Sequence, residues 1–311
     1  MLPILRIIWN EFTTRIPRER VNEPDEAMTD PDQVRAYVKA YEWGGPTSAL
    51  QLHHLRQLAG LIRPGDTVVD LACGPGALLM ELAALYPETT FIGVDLSPRM
   101  LQHLEQEAKR RALSNIRVLR EDMREIPSLG QKVADLVIST SSLHHVPDFA
   151  SLRKVFRRAR TLMKPDAAVY MFDFGLLKSE RAMEYFVADV ARLAPPLTVE
   201  DYRASLKAMY PIDEMVKMAR EELPETVKAY RSRCIDFFFF LQSPPRTSPA
   251  PSVVEKLDAI ARSFSFAMRL EHAMLRFFCR PARRSRKAEA SIVAENSLGT
   301  SRQTVKLGKA A

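Results

Sequence analysis

The chain of 311 residues is poor in cysteine. Cys73, Cys234 and Cys279 are odd in number, far apart and without metal-ligand spacing, which argues against a disulfide framework or a cysteine metal cluster. They fit a reducing, cytoplasmic setting. Long apolar runs are also missing: none reaches the roughly 18 to 20 residues that span a bilayer. The opening stretch Met1–Trp9 is apolar but broken by Pro3 and Arg6, and it has neither the basic start nor the cleavage site of a secretory signal. No internal repeat is present. Evenly spread positive charge is lacking too. The formal charge is +7, yet residues 244–311 hold 13 Lys+Arg against 5 Asp+Glu, leaving residues 1–243 at −1. A near-neutral body offers no phosphate-binding groove, so a nucleic-acid partner is not expected.

With 46% hydrophobic residues the chain can build a sizeable core. Residues 1–31 read as an extended, Pro- and charge-rich arm, followed by a helical pattern from Asp32, so residues 1–46 form an arm and a lid helix. From Thr47 to about Leu61 a second amphipathic stretch begins the main body, residues 47–243. Strands are expected at Thr67–Ala72, Thr90–Asp95, Ile116–Arg120, Ala134–Thr140 and Ala167–Asp173. Helices are expected at Ala77–Tyr86, Pro98–Ala112 and Phe149–Met163. Near-continuous apolar strands separated by helices predict an α/β fold with a parallel sheet covered on both faces. Residues 179–223 are helix-rich. Strands at Thr226–Arg231 and Cys234–Leu241 follow, the second carrying four consecutive phenylalanines that a strand buries on both faces. Residues 244–311 read as a Pro/Ser-rich linker, one amphipathic helix over Val253–Phe278, and a basic, disordered tail. That helix either packs on its own domain or, with the following arginines, rests peripherally on an anionic membrane.

Four motifs carry chemistry. Asp70-Leu71-Ala72-Cys73-Gly74-Pro75-Gly76 stands between the first strand and first helix, where glycine lets the chain turn tightly and a ligand approach the backbone. A dinucleotide dehydrogenase has a third glycine where Leu79 stands here. The carboxylate of Asp70 would repel a pyrophosphate and suits a cationic or zwitterionic amino-acid group. Asp95 ends the second strand, placed to accept hydrogen bonds from ribose hydroxyls. Asp122-Met123 follows the third strand, with an acceptor and an apolar side chain for the edge and face of a base. Ser139-Thr140-Ser141-Ser142-Leu143-His144-His145 closes the fourth.

In this order and spacing, DLACGPG, GVDLSPRML, REDMREIP, ADLVISTSSLHHVPD and MKPDA resemble the class I S-adenosylmethionine-dependent methyltransferase family over about Arg63 to Asp173. The LHHV segment is most similar to small-molecule types, including quinone-biosynthesis C-methyltransferases. Ala167 stands where the family usually has glycine. The resemblance implies a Rossmann-like seven-stranded sheet with an antiparallel last strand, and a helical lid from the N-terminus and the segment after the fifth strand. It implies S-adenosyl-L-methionine as co-substrate, with its methionine part near Asp70, Ala72, Cys73, Gly74 and Gly76. The ribose and adenine would lie at Asp95, Leu96, Ser97, Met100, Asp122 and Met123, and the sulfonium side at Ser139 and Thr140.

Methyl transfer is an in-line displacement on an activated carbon, so proximity and orientation dominate. His144 and His145 are the candidates for a base, if the acceptor must lose a proton; helix capping or packing on the cofactor is the alternative for both. The expected acceptor is a small organic molecule, with its atom and the oligomeric state open and no metal required. Two other readings stay open: a nicotinamide-dependent oxidoreductase, against which Leu79 counts, and a silent adenosylmethionine-binding scaffold. A nucleic-acid amino-methylating enzyme would carry an Asn/Asp-Pro-Pro-Tyr/Phe segment after the fourth strand, absent here.

Overall fold

A computed structural model of the chain describes residues 2–279 except 193 and 234. The helices α1 (Leu2–Thr13), α2 (Pro31–Ala40) and α3 (Ser48–Leu58) lead into β1 (Thr67–Leu71), α4 (Ala77–Leu85), β2 (Thr90–Asp95), α5 (Pro98–Arg110), β3 (Ile116–Arg120) and β4 (Ala134–Thr140). A single 3-10 turn, Leu143–His145, precedes α6 (Phe149–Leu162) and β5 (Met163–Phe174). Then come α7 (Glu180–Val190), α8 (Pro196–Ala208), α9 (Ile212–Glu222), β6 (Lys228–Arg231), β7 (Phe238–Gln242), α10 (Pro251–Ser263) and α11 (Phe266–Phe278).

The seven strands run in the order β3-β2-β1-β4-β5-β7-β6. Strands β1 to β5 pair in parallel, and β7 is antiparallel to both β5 and β6. The chain winds outward from β1 to β3 and then returns to β4, so the switch point lies between β1 and β4. A crevice opens there beyond the carboxyl ends of the strands.

Alternate strand residues enter opposite cores, as continuous apolar strands require. Val69, Leu71 and Phe239 pack with Val155 and Phe156 of α6 and Met215 of α9. Val68, Phe91, Phe172 and Phe240 pack with Leu52 and Leu55 of α3, Leu79 of α4 and Leu257 of α10. The phenylalanine run thus supplies both faces, while Phe237 joins a third cluster with Met183 and Val187 of α7 and Leu206 of α8. Local signals set the helix starts: Pro98 opens α5 with the Ser97 hydroxyl accepting from Met100 N, and Asp148 accepts from Ser151 N to open α6.

Three segments differ from the sequence reading. Residues 2–13 are helical rather than extended; Ile7 is buried, and the Glu11 carboxylate accepts from Lys178 N and Ser179 N at the start of α7. The fifth strand starts at Met163 rather than at Ala167, so Lys164-Pro165-Asp166 lies within β5, accommodated by a register irregularity between Ala134 and Leu136. Residues 251–278 form two helices rather than one. They break at Phe264-Ser265, where the Ser265 hydroxyl caps α11 by accepting from Met268 N, and both pack on α3. The basic run from Arg280 lies outside the described residues. No described helix is long and apolar enough to cross a membrane.

Leu79 occupies the position at which a third glycine would let α4 approach the sheet. The glycine that makes room is on the neighbouring strand. A Cβ added to Gly93 would lie 2.8 Å from Cys73 Sγ and 3.0 Å from Leu79 Cδ2. Gly93→Ala is therefore expected to lower stability by about 1–3 kcal/mol through overpacking. In urea unfolding, Gly93→Ala combined with Leu79→Ala should cost less than the sum of the single changes, because each relieves the other's misfit. Additive losses would show that the two sites do not share this space.

Candidate active site

The loop after β1 is built from left-handed residues. Ala72, Gly74 and Gly76 have φ of 56°, 55° and 73°. For Ala72 this conformation costs about 1–2 kcal/mol. Ser141, at the end of neighbouring β4, is also left-handed with φ 54°. The two strands bounding the switch point thus each end in a strained non-glycine residue, and such strain clusters at functional sites. Gly76 is needed twice over: besides its φ, a Cβ there would run into the Leu104 side chain of α5.

Asp95 holds this loop. One carboxylate oxygen accepts from Gly74 N and the other from Ser97 N, each at 2.8 Å. Burial pushes its carboxyl up, opposed by these backbone donors. Asp70 is deeper. Burial, then the charge of Asp95, raises its carboxyl well above the usual range, and Asp70 Oδ1 has no hydrogen-bond partner among the described residues. A buried orphaned oxygen beside a second carboxylate is a place where a cation is favoured.

A cavity of about 2290 Å³ opens at this crevice. Ala72, Gly74, Asp95, Leu96, Ser97, Met100, Asp122, Met123, His144 and His145 all line it. Asp70, Cys73, Gly76, Ser139 and Thr140 do not. Cys73 turns toward Gly93. The Ser139 hydroxyl lies beneath the loop, bonded to Leu71 O and Ser142 Oγ, and the next residues, Ser141 and Ser142, face the cavity instead. Asp122 is engaged by Arg124, whose Nε donates to both carboxylate oxygens, and Arg124 also pairs with Glu26 at 2.8 Å.

His144 is buried and oriented. Its Nδ1 lies 3.0 Å from Asp173 Oδ1, and its backbone N–H donates to Asp173 Oδ2 at 3.1 Å. Its Nε2 faces Glu23 Oε1 at 4.0 Å. Burial alone would lower the imidazole's pKa; the charge and hydrogen bond of Asp173 and the charge of Glu23 outweigh it and raise the pKa above the ordinary value. Burial pushes Glu23 up, but its bond to His145, the charges of both histidines and a bond from Ser205 bring it down to about 2. Glu23, His144 and His145 bring donor atoms within 4.8 Å of one another, the donor set of a small metal centre. Those donors are engaged with each other, with Asp173 and with Ser205.

Glu23 belongs to the arm between α1 and α2, which crosses the cavity and is pinned along its length. The Arg20 guanidinium donates to the carbonyls of His144, Val146, Pro147 and Ala208 and lies 4.0 Å over the Tyr210 ring. Ser97 Oγ donates to Met28 O at 2.5 Å, and Arg99 Nε to Thr29 O at 2.9 Å. From α2, the stacked rings of Tyr37 and Tyr41, 4.6 Å apart, also line the cavity, Tyr37 above Gly74. Glu23, Tyr37, Tyr41 and Asp173 are the residues here that motif reading misses; Ser141 stood within the motif closing β4 without an assigned contact. Of those four, Asp173 alone left a trace, an acid ending a buried strand.

A family model described as a methyltransferase domain matches residues 62–223. The chain is 32% identical over 123 residues to the methyltransferase ungE' of Aspergillus campestris, covering 37% of this chain and 36% of that protein. It is 32% identical over 109 residues to the carboxy-S-adenosyl-L-methionine synthase of Dichelobacter nodosus, covering 34% of this chain and 43% of that one. The chain therefore matches less than half the length of these relatives. Among solved structures, the plantazolicin methyltransferase BpumL, in complex with SAH, shares the fold with TM-score 0.53 at 12% identity, over 85% of this chain and 92% of that one.

Arg20→Ala would leave the carbonyls of residues 144, 146, 147 and 208 without their shared donor. Amide exchange at Arg18 and Val21, whose N–H groups bond to Lys178 O and Lys207 O, should speed up about tenfold or more, for a loss of roughly 1.5–3 kcal/mol from charged hydrogen bonds. Unchanged exchange in hydrogen–deuterium measurements would mean that the arm is held elsewhere.

Proposed function

This chain belongs to the class I methyltransferase-domain family, and from that premise we propose that it transfers a methyl group from S-adenosylmethionine to a small organic acceptor. One observation carries the reading: a strained glycine turn, clasped by Asp95 and backed by the orphaned Asp70 oxygen, opens into the same cavity as the Asp173–His144 pair. A cationic amino-acid ligand and a proton-bearing acceptor then meet in one space. The name of the Aspergillus campestris relative, a methyltransferase, supports methyl transfer. The near-neutral body, with Arg20 and Arg124 engaged in internal bonds, favours a small acceptor over a nucleic acid.

In this reading Gly74 and Ala72 offer backbone groups to the methionine part, and Asp95 accepts from the ribose with the lone pairs that Gly74 and Ser97 leave free. Leu96, Met100 and Met123 flank the adenine, and Asp122, shared with Arg124, meets its edge. Asp70 acts from beneath as charge rather than by contact. Tyr37 covers the turn and excludes water. A sulfonium held there would supply an already activated methyl carbon, the acceptor atom bonding to it as the C–S bond breaks and the electron pair stays on sulfur. The chain's own task is orientation and proton removal. His144 Nε2 takes the acceptor's proton. Asp173 holds the ring by Nδ1, fixes the tautomer and stabilises the imidazolium that forms. His145 is a positioning residue, tied to Glu23 and so to the arm.

Calorimetry with S-adenosylhomocysteine should show binding to the full chain, and Asp95→Ala should weaken it about tenfold to a hundredfold, the loss of one charged hydrogen-bond acceptor. Absence of binding to the unaltered chain rejects the function. The pH profile tests the base. Only neutral imidazole accepts a proton, so kcat/KM should fall as pH drops through the raised pKa of His144, placing the acid limb above 6.5. Asp173→Asn removes the carboxylate that raises this pKa and should move the limb to lower pH. His144→Gln should remove the limb and slow turnover about 10²- to 10⁴-fold while leaving S-adenosylhomocysteine affinity unchanged. A limb unmoved in Asp173→Asn would assign it to another group.

A further inference from the structure

The cavity of about 2290 Å³ is more than twice the roughly 1000 Å³ at the upper end of ordinary small-ligand pockets. A ligand over the glycine turn leaves much of it open. The part away from the turn is walled by Phe186 of α7, Tyr202 of α8, Phe237 and Phe238 before and in β7, and Leu270 and Met274 of α11. Phe186 and Phe237 stack at 4.2 Å, interplanar angle 17°, which stiffens this wall. The cavity also carries Asp189 and Arg192, which pair with each other in an exposed position at 3.4 Å. Glu271 of α11 and Asp189 of α7 line the same cavity, and burial, then the charge of Asp189, raises the Glu271 carboxyl.

The rim is unusual. Helix α1 packs on α7 and lends Arg6 and Ile7 to the cavity, yet turns Leu5, Trp9 and Phe12 outward, with Trp9 67% and Phe12 86% exposed. Ile16, just after α1, continues the line. On α11, Phe266, Leu270, Met274 and Phe277 form a second exposed stripe, with Phe266 81% exposed. Both stripes follow the spacing of a single helical face. Leu270, Met274 and Phe277 belong at once to the exposed stripe and to the cavity wall, so the apolar surface runs from the outside of the protein into its interior. A mouth that admits a water-soluble acceptor has no need of this, and apolar patches of this kind mark interaction sites. The sequence directly after α11 adds Arg280, Arg283, Arg284, Arg286 and Lys287, a basic cluster that suits an anionic lipid headgroup layer better than an apolar protein partner.

We infer that the aromatic end of the cavity holds the apolar body of a lipophilic acceptor, which enters from an anionic lipid surface on which the exposed faces of α1 and α11 rest. The inference rests on the methyl-transfer reading for what happens to the bound molecule, but not for its binding or entry.

The test uses the full chain in two arms. In the first, the protein is sedimented with vesicles of phosphatidylcholine, with and without phosphatidylglycerol. Binding is expected, strongest with phosphatidylglycerol, and the variant Trp9→Ser/Phe12→Ser/Phe266→Ser should bind about tenfold more weakly or less. These three side chains do not line the cavity, so S-adenosylhomocysteine calorimetry should be unchanged. In the second arm, fluorescence of N-phenyl-1-naphthylamine should report saturable binding that Leu270→Asp weakens at least about tenfold; Leu270 is half exposed, so the variant is expected to fold. No vesicle binding, or equal binding by the rim variant, overturns the lipid entry. A dimer by light scattering that the rim variant converts to monomer also overturns it, since a second copy then covers the stripes. Absence of saturable probe binding overturns the lipophilic acceptor. Should vesicles and probe bind while S-adenosylhomocysteine does not, this inference stands and the methyl-transfer reading falls.

Discussion

The site depends on a single carboxylate. Asp95 bonds Gly74 N with one oxygen and Ser97 N with the other, so the loop after β1 and the start of α5 are fixed from the end of β2. The loop needs that restraint because it runs through three left-handed residues, one of them Ala72, which relaxes readily elsewhere. It also needs space beneath it, and Gly93 provides this by leaving out a side chain where Cys73 and Leu79 press in. The strain at Ala72, the bonds from Asp95 and the missing Cβ at Gly93 are parts of one arrangement. They hold Ala72 and Gly74 at the cavity wall, in a turn that the following helix does not absorb.

A second layer of polar contacts closes over this base. The arm from Arg18 to Thr29 has few buried apolar side chains to anchor it and is held by hydrogen bonds to carbonyls and by ion pairs. Such contacts exchange readily with water, so they restrain a segment without adding greatly to global stability. Arg20 gathers the carbonyls of residues 144, 146 and 147 and thereby shapes the loop that carries the two histidines. Glu23 touches the same loop through His145 and reaches α8 through Ser205. The arm, the histidine loop and α8 therefore share one polar network centred on Glu23, which reaches His144.

How much of this the sequence discloses depends on the range of the interaction. The central parallel strands were readable because they are buried on both faces and therefore largely apolar: Val68 and Val69 have no solvent side to mark with polar residues, whereas the edge strand β3, with Arg117 and Arg120, has no fully buried residue. The phenylalanine run was readable as a strand because it too is buried on both faces, although β7 spans Phe238–Gln242 rather than starting at Cys234, and its antiparallel direction came with the family resemblance. The glycine turn, Asp95 and the Ser97 cap were readable because their partners lie within one βαβ unit. Residues at β4 were placed one step short: Ser139 and Thr140 were expected at the cavity, but Ser139 bonds inward to Leu71 O, and the left-handed Ser141 turns the next residues outward. Glu23 and Tyr37 were not readable as site residues, because their partners lie far along the chain and leave no periodic trace, and Asp173 showed only as an acid ending a buried strand. Helix α1 was hidden by Pro3 at its start, a position where proline is tolerated.

Electrostatics ties the turn to the histidine end of the cavity. Asp70 and Asp95 stand at one end of the crevice and Glu23 and Asp173 at the other, with His144 and His145 bonded to the second pair and the charge of His145 also reaching Asp95. At the histidine end, His144 and His145 answer the carboxylates, and Glu23 stays ionised despite its burial. At the turn burial prevails: the N–H groups of Ser97 and Gly74 and the charge of His145 lower Asp95, yet Asp70 and Asp95 both sit above the ordinary carboxylate range. A bound cation reverses this, because it favours the charged form of each acid by the same amount that those charges favour the cation. The turn is thus under-compensated for positive charge as it stands, by an amount set by burial. Placing a sulfonium within reach of Asp70 and Asp95 would relieve two raised carboxyls at once, whereas an anionic phosphate would raise them further. The sign of that imbalance separates a methyl-donor site from a dinucleotide site on the same strand-turn-helix scaffold.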